Sequence, residues 1–166
     1  MKVVFLDFDG VINDNGFVQN ALKDTGPLTK YTIELAQTTL DPVRVARVQH
    51  ICDATGADVV LVTSWRRWAG LDELRGALKF AGFTAPVVGV VGGVKMSGDL
   101  RRWAAGEWLD EHPQYTHHVV LDDDTNLWKD WGKKGKAFNC IHPFDGIEDK
   151  HVSEAIGILG RKEGAA

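Results

Sequence analysis

Two carboxylates near the start of the chain are spaced so that they can act on one substrate. Asp7 and Asp9 follow an apolar run that begins after Lys2. Side chains two residues apart in an extended chain point the same way, and Gly10 allows a tight turn behind them. Like charges this close raise one pKa unless a cation neutralises them. The pair therefore predicts an acid beside a nucleophile, or a site for a hard metal such as Mg²⁺, and phosphoryl transfer can use all three.

Two further polar clusters follow apolar runs later in the chain. Thr63 and Ser64 end the run ADVVLVTS, and Asp122 begins an acidic triplet after the run HHVVL. A single cluster of this kind is commonly a helix cap or a turn. Because ligands of open α/β sheets bind beyond the carboxyl ends of the strands, three such clusters together predict one site.

The elements that must position these residues alternate between strands and helices. Continuous apolar runs predict strands, and the spacing of apolar residues between them predicts helices. Alternation of this kind predicts a single doubly wound α/β domain, with a parallel sheet and helices on both faces. The strands are expected at 2–7, 57–64, 86–91, 117–122 and 137–141, and the helices at 41–56, 66–81, 98–111 and 149–160.

Length and composition predict one globular domain over residues 1–166. The chain has 166 residues, of which 44% are hydrophobic and 25% charged, and both fractions are ordinary for globular proteins. The stretch 14–39 is polar and irregular, with Gly16, Gly26 and Pro27, and predicts a hairpin or small flap rather than a large cap domain.

Charge and hydropathy limit the classes of partner. A net charge of −4 predicts neither a polybasic membrane surface nor strong non-specific binding of nucleic acid, so any anion site must be local. The first apolar run is too short for a signal peptide or a membrane span, and we expect a cytoplasmic protein with no membrane partner. The oligomeric state stays open, and a monomer fits the composition.

Three motifs carry a family resemblance. DFDGV at 7–11, VLVTSWR at 60–66 and VVLDDD at 119–124 resemble the signature motifs of the haloacid-dehalogenase-like (HAD) phosphatases. Residues 41–66 and the helix containing WL at 108–109 are similar to the compact members associated with RNA and polynucleotide end repair. The resemblance covers most of the chain and implies a Rossmann-like core without a large cap.

The resemblance also implies roles for the acidic residues. Asp7 would attack phosphorus to form an aspartyl-phosphate, and Asp9 would act first as general acid and then as general base. Mg²⁺ would be held by the Asp7 carboxylate, the Asp9 backbone carbonyl and a carboxylate of Asp122 or Asp123, with the choice between the last two left open.

The same resemblance implies which residues contact the phosphoryl group and the substrate. In the second motif Ser64 would bind the phosphoryl oxygens, with Thr63 as the alternative. A further motif of the family, between VLVTSWR and VVLDDD, requires a cation beside the nucleophile, and Lys95 and Arg101, with Arg102 beside it, are the candidates. The further expected substrate contacts are Gly10, Trp65 and Arg66, with Trp65 stacked on a terminal base.

The function implied is that of a Mg²⁺-dependent phosphomonoesterase, and a terminal phosphate of nucleic acid, more readily 3′ than 5′, is the expected substrate. A nucleotide or small-metabolite phosphatase is the main alternative. A phosphoacceptor regulatory domain is a distant one, because such a domain carries a lone aspartate on a later strand, whereas this chain carries the triplet that begins at Asp122. An inactive binding domain is a further alternative, which the presence of Asp7 and Asp9 disfavours.

Overall fold

The central feature of the computed structural model, which describes residues 1–23, 33–92, 100–131 and 137–161, is a five-stranded parallel sheet. Its strands lie in the order β3-β2-β1-β4-β5. β1 pairs with β2 on one side and with β4 on the other, so the chain crosses over β1 when it passes from β3 to β4. The strands are β1 Lys2–Leu6, β2 Asp58–Leu61, β3 Val87–Val90, β4 His117–Asp122 and β5 Phe138–Cys140.

Helices cover both faces of the sheet. Alternate residues of β1 point to opposite faces, so that Val4 and Leu6 join one buried cluster while Val3 and Phe5 join the other. The first cluster contains α3, α4 and α6, and the second contains α5 and the segment that includes Trp128. The helices are α1 Asn15–Leu22, α2 Ile33–Ala36, α3 Pro42–Thr55, α4 Leu71–Phe80, α5 Arg101–Glu111 and α6 Asp149–Leu159, with 3₁₀ turns at Gln37–Thr39 and Ser64–Arg67.

Local signals in the sequence account for the ends of α3. The Asp41 carboxylate accepts a hydrogen bond from the Val43 N–H at 2.8 Å, and Pro42 occupies the first helical position, where no N–H is needed. Gly56 ends the helix with a φ of 68°, and its N–H donates to the carbonyl of Cys52 at 2.7 Å. Cap, proline and terminal glycine were all readable from the sequence, and this helix is confirmed.

The helix predicted over 66–81 is divided in two by the structure. A 3₁₀ turn covers Ser64–Arg67, and α4 begins only at Leu71. The division lies at Gly70, whose N–H donates to the Glu73 carboxylate at 2.6 Å, so this glutamate caps the start of α4. The separate 3₁₀ turn therefore carries the second motif.

The described residues of the stretch 14–39 form helices and a 3₁₀ turn. They include no strand of the hairpin that was one of the two expectations for this stretch. Asp14 starts α1 by accepting hydrogen bonds from the N–H groups of Gly16 and Phe17. The two ends of the stretch meet, because the Asp41 N–H donates to the Ile12 carbonyl at 2.8 Å. The guanidinium of Arg44 holds both ends, through Asp14 at 2.7 Å and Asp41 at 2.8 Å.

The same substitution, glycine to alanine, should have opposite effects on stability at two positions, because the backbone conformation differs between them. Gly56→Ala should lower the free energy of unfolding by about 1 kcal/mol, because a Cβ is disfavoured at a φ of 68° even though nothing lies within 4 Å of it. Gly76→Ala, inside α4 with equally open surroundings, should raise it by about 0.5 to 1 kcal/mol. Urea denaturation of both variants measures the two shifts, and shifts of the same sign would contradict the assignment.

Candidate active site

The polar strand ends meet where the strand order changes direction. Asp7 follows β1 and Asp122 ends β4, and the two strands are paired along their whole length. The Asp7 N–H donates to the Leu121 carbonyl at 3.0 Å, which places both carboxylates at the same edge of the sheet. This crossover is the position at which open α/β sheets bind their ligands.

Asp7 is almost completely buried, with 2% of its surface exposed. One carboxylate oxygen, Oδ1, accepts from the N–H of Phe8 at 2.8 Å, and the other, Oδ2, accepts from Nη1 of Arg101 at 2.8 Å. Burial raises the pKa of Asp7 well above its ordinary value, and repulsion from Asp122 raises it further, while attraction to Arg101 opposes both. The fold thus keeps a carboxylate where its charge depends on a neighbouring cation.

Arg101 is the cation that the structure brings to this position. Its Nη1 lies 2.8 Å from Asp7 and 3.3 Å from Oδ2 of Asp122, and it also donates to the carbonyl of Val62 at 3.3 Å. Burial disfavours the charged guanidinium, yet the attraction of the two carboxylates raises the pKa of Arg101 above its ordinary value. Of the two predicted cations, Arg101 contacts Asp7, whereas Lys95 lies outside the described residues.

Three carboxylates are close enough to share one cation. Single oxygen atoms of Asp7, Asp122 and Asp123 all lie within 4.8 Å of one another. Burial, followed by repulsion from Asp122, raises the pKa of Asp123 to about 6. A set of oxygen ligands that repel one another fits a hard divalent cation such as Mg²⁺. Both candidates for the last carboxylate ligand, Asp122 and Asp123, belong to this group, so the predicted choice between them stays open.

The third member of the acidic triplet has a different role. Oδ1 of Asp124 accepts hydrogen bonds from the N–H groups of Asn126 at 3.0 Å and Leu127 at 3.2 Å, so this side chain closes a turn. The Asp124 N–H in turn donates to Oδ1 of Asp122 at 2.9 Å. The triplet therefore divides into two carboxylates of the cation group and one that shapes the loop.

Asp9 is exposed, and its side chain is held from two directions. Oδ1 accepts from Nε1 of Trp65 at 3.0 Å and from Nδ2 of Asn13 at 2.9 Å, while Oδ2 accepts from the Ser64 hydroxyl at 3.0 Å. The next residue, Gly10, has a φ of 74°, and a Cβ there would clash with the Asp123 carboxylate. The turn at position 10, within the first motif, thus requires glycine. The carboxylate of Asp9 lies outside the group formed by Asp7, Asp122 and Asp123.

The two hydroxyls of the second motif are used differently. Thr63 is buried, and its hydroxyl oxygen accepts from the Trp65 N–H at 3.3 Å, which caps the 3₁₀ turn. Ser64 instead reaches Asp9. The structure therefore places the hydroxyl of Ser64, rather than that of Thr63, beside the first motif.

Two of the predicted substrate contacts do not fit their positions. Trp65 is 3% exposed and packs against Phe8 and Trp68, with ring centroids 5.1 and 5.2 Å away, so its burial contradicts the predicted stacking on a base. Arg66 is 4% exposed, and its Nη1 donates inward to the carbonyl of Thr63 at 2.7 Å. Burial, followed by repulsion from Arg101, lowers the pKa of Arg66. Because its guanidinium points inward, it does not contact a nucleic-acid backbone that lies in solvent.

The sequence analysis missed Asn13 and did not find that the indole of Trp65 donates to Asp9. Asn13 lies four residues after Asp9, and its Oδ1 accepts from the Gly10 N–H at 3.1 Å, so it folds back over the turn. A small amide just after a DxDG turn is a signal that could have found it. The indole of Trp65 had no such signal, since the direction of its N–H depends on packing.

Comparison with known families decides what this arrangement is. A family model described as the HAD domain in Swiss Army Knife RNA repair proteins matches residues 3–152. The chain belongs to this HAD family. No curated protein shows a significant match to the chain.

Membership of the HAD family confirms the resemblance inferred from the three motifs, and the parallel sheet confirms the predicted α/β fold. It supports a HAD phosphatase, and HAD domains typically use a divalent metal ion. The group formed by Asp7, Asp122 and Asp123 has the donor atoms that such an ion requires.

The helices of this HAD domain are short. Within the described parts of the chain, none has both the length and the apolar character that a membrane crossing requires.

The raised pKa of Asp123 predicts how the stability of the metal-free protein depends on pH. A carboxylate whose pKa rises to about 6 on folding favours the folded state while it is protonated, and this contribution is lost as the pH rises from about 4 to about 6. Asp123→Asn removes the charge, and we expect it to raise the melting temperature in EDTA at pH 8. Below about pH 4 the difference should disappear, and an equal difference at both pH values would contradict the raised pKa of Asp123.

Proposed function

We propose that this protein is a Mg²⁺-dependent phosphomonoesterase that acts through phosphorylated Asp7. The observation that carries the proposal is the placement of Asp7, which is buried between Arg101 and two further carboxylates, with Asp9 exposed beside it. A buried carboxylate paired with a cation suits a nucleophile, and an exposed carboxylate two residues on can reach a leaving group.

In the first step, an oxygen of Asp7 attacks phosphorus, and the bond from phosphorus to the leaving oxygen breaks. Asp9, protonated at this stage, gives its proton to that oxygen, so the product leaves as an alcohol. Arg101 stays against Asp7 and offsets the negative charge that the phosphoryl group brings to the buried site. Ser64 can turn its hydroxyl from Asp9 to a phosphoryl oxygen.

In the second step, Asp9 takes a proton from a water molecule, and the water oxygen attacks phosphorus. The bond from phosphorus to Asp7 breaks, inorganic phosphate leaves, and both carboxylates return to their starting states. Asp7, Asp122 and Asp123 would hold Mg²⁺, which supplies positive charge to the phosphoryl oxygens.

We propose a terminal phosphate of nucleic acid, more readily 3′ than 5′, as the substrate. The family is named for RNA repair proteins, and aromatic side chains are exposed at two elements that supply the site. Trp68 is 43% exposed and packs on Trp65, which contacts Asp9, and Trp103 is 56% exposed, two residues after Arg101. The ring of Trp68, rather than that of Trp65, would stack on the terminal base, whereas Trp103 lies on a different side of α5 from Arg101 and would contact only a more distant base.

Basic residues stand beside the exposed rings. Arg67 is exposed next to Trp68, and the guanidinium of Arg102 lies 5.6 Å from the centroid of the Trp103 ring. Lys129 is exposed, and the lysines at 133, 134 and 136 lie outside the described residues. We further propose that residues 1–166 form a single domain in which residues 14–39 are a small flap. A flap of that size leaves the site open to a polymer.

The central claim is tested at the nucleophile. Asp7→Asn should fold and lose turnover altogether, since an amide does not form the phosphorylated intermediate and also weakens the cation group. Release of inorganic phosphate from a 3′-phosphorylated oligonucleotide measures this, and near-normal release by the variant would remove the claim.

The matched control is the unaltered protein after treatment with EDTA. Its activity should disappear and should return with Mg²⁺, which separates loss of the cation from loss of the nucleophile. Full activity in the chelator, or recovery with zinc alone, would exclude the proposed magnesium site.

Polymer recognition is tested by comparing substrates at two salt concentrations. We expect kcat/KM to be higher for a 3′-phosphorylated oligonucleotide than for its 5′-phosphorylated form, a 3′-mononucleotide or a hexose phosphate. The preference over the two small substrates should shrink as salt rises. Trp68→Ala should lower kcat/KM on the oligonucleotide by roughly 5-fold to 100-fold, and Trp68→Phe by less, because stacking contributes about 1 to 3 kcal/mol per base. Equal efficiency on the small substrates at low salt would favour a nucleotide or small-metabolite phosphatase instead.

A further inference from the structure

The two oxygens of the Asp9 carboxylate have different surroundings. Oδ1 accepts two hydrogen bonds, from Nε1 of Trp65 at 3.0 Å and from Nδ2 of Asn13 at 2.9 Å. Oδ2 accepts one, from the Ser64 hydroxyl at 3.0 Å. Since each carboxylate oxygen offers two lone pairs, the contacts among the described residues occupy Oδ1 fully and leave one lone pair of Oδ2.

The donors on Oδ1 have no freedom to become acceptors. An indole N–H can only donate, and the ring of Trp65 is fixed by packing against Phe8 and Trp68. Asn13 is buried, and its side-chain oxygen accepts from the Gly10 N–H at 3.1 Å, so its amide nitrogen must face Asp9. A proton on Oδ1 would therefore displace a donor from one of two rigid side chains.

The partner of Oδ2 can adapt. The Ser64 hydroxyl both donates and accepts, and it turns about a single bond. It can donate to Oδ2 when Asp9 is a carboxylate and accept from it when Asp9 is protonated. Only this oxygen can carry a proton without the loss of a hydrogen bond.

We infer that Trp65 and Asn13 are positioning residues that hold Oδ1 of Asp9 and assign proton transfer to Oδ2, the oxygen beside Ser64. The inference rests on the proposed function, in which Asp9 protonates the leaving oxygen and later activates water. Loss of either donor lets the carboxylate of Asp9 rotate about its χ angles. The proton on Oδ2 then no longer points at the leaving oxygen. The chemistry at Asp7 does not depend on these two donors.

The dependence of rate on the leaving group separates positioning from general damage to the fold. A nucleotide alkoxide needs a proton to leave, whereas p-nitrophenolate leaves without one. The readout is therefore kcat/KM for a 3′-mononucleotide divided by kcat/KM for p-nitrophenyl phosphate, because kcat/KM reports the formation of phosphorylated Asp7 and not its hydrolysis, which both substrates share. A variant that is partly unfolded loses both activities equally, and the ratio stays the same.

Two variants remove one donor each, and a third sets the scale. Trp65→Phe removes the N–H and keeps an aromatic ring, and Asn13→Asp keeps an acceptor for Gly10 but loses the amide donor. Each should lower the ratio roughly tenfold, the effect expected from one hydrogen bond to a charged group. Asp9→Asn should lower it by roughly 10²-fold or more.

Comparison with Asp9→Asn distinguishes the two possible failures. If Asp9→Asn lowers the ratio while Trp65→Phe and Asn13→Asp leave it unchanged, the positioning role is overturned and the proposed function stands. If Asp9→Asn itself lowers both kcat/KM values equally, Asp9 is not the acid, and the proposed function fails together with the inference. A lower ratio in all three variants supports both.

Discussion

The buried pair formed by Asp7 and Arg101 is the interaction on which the rest of the site depends. A carboxylate taken out of water is costly unless a cation or a set of donors compensates it, and Asp7 also lies near the charge of Asp122. Arg101 contacts both carboxylates, although it lies 94 residues from Asp7 in the chain. The arrangement therefore exists only when the sheet and α5 are both in place.

The crossover topology explains why these groups meet. β1 is central, so its carboxyl end has β2 on one side and β4 on the other, and each neighbour delivers a different kind of group. β4 supplies the acidic side chains, and the 3₁₀ turn after β2 supplies a hydroxyl and an indole. α5, on the opposite face from α3 and α4, supplies the cation. The parallel sheet thus gathers at one edge residues that are far apart in the chain.

The site contains polar groups that a fold selected for stability alone would avoid. Three carboxylates that share one small space repel one another, and Arg66 is buried with Nε and Nη2 lacking a hydrogen-bond partner in the described part of the chain. Such costs are typical of functional sites, where the surrounding structure keeps groups in positions that they would not take in isolation.

The sequence alone determined the features that depend on neighbours along the chain. Continuous apolar runs marked the strands, Asp41, Pro42 and Gly56 marked the ends of α3, and the two-residue spacing of Asp7 and Asp9 put two carboxylates beside one turn. These features follow from backbone geometry and local hydrogen bonds, which a linear pattern records. The motifs themselves indicated the family, because their order and spacing are specific.

Only the tertiary structure decided which hydroxyl of the second motif lies beside the first motif. Thr63 and Ser64 are adjacent and chemically alike, and the direction of the 3₁₀ turn turns one inward as a cap and the other toward Asp9. The long side chain of Arg101 reaches Asp7 only because α5 packs across the sheet, and the burial of Trp65 follows from packing against Phe8 and Trp68. The direction in which a side chain points, and the distance that it spans across the core, depend on residues far away in the chain. No local sequence pattern predicts either of them.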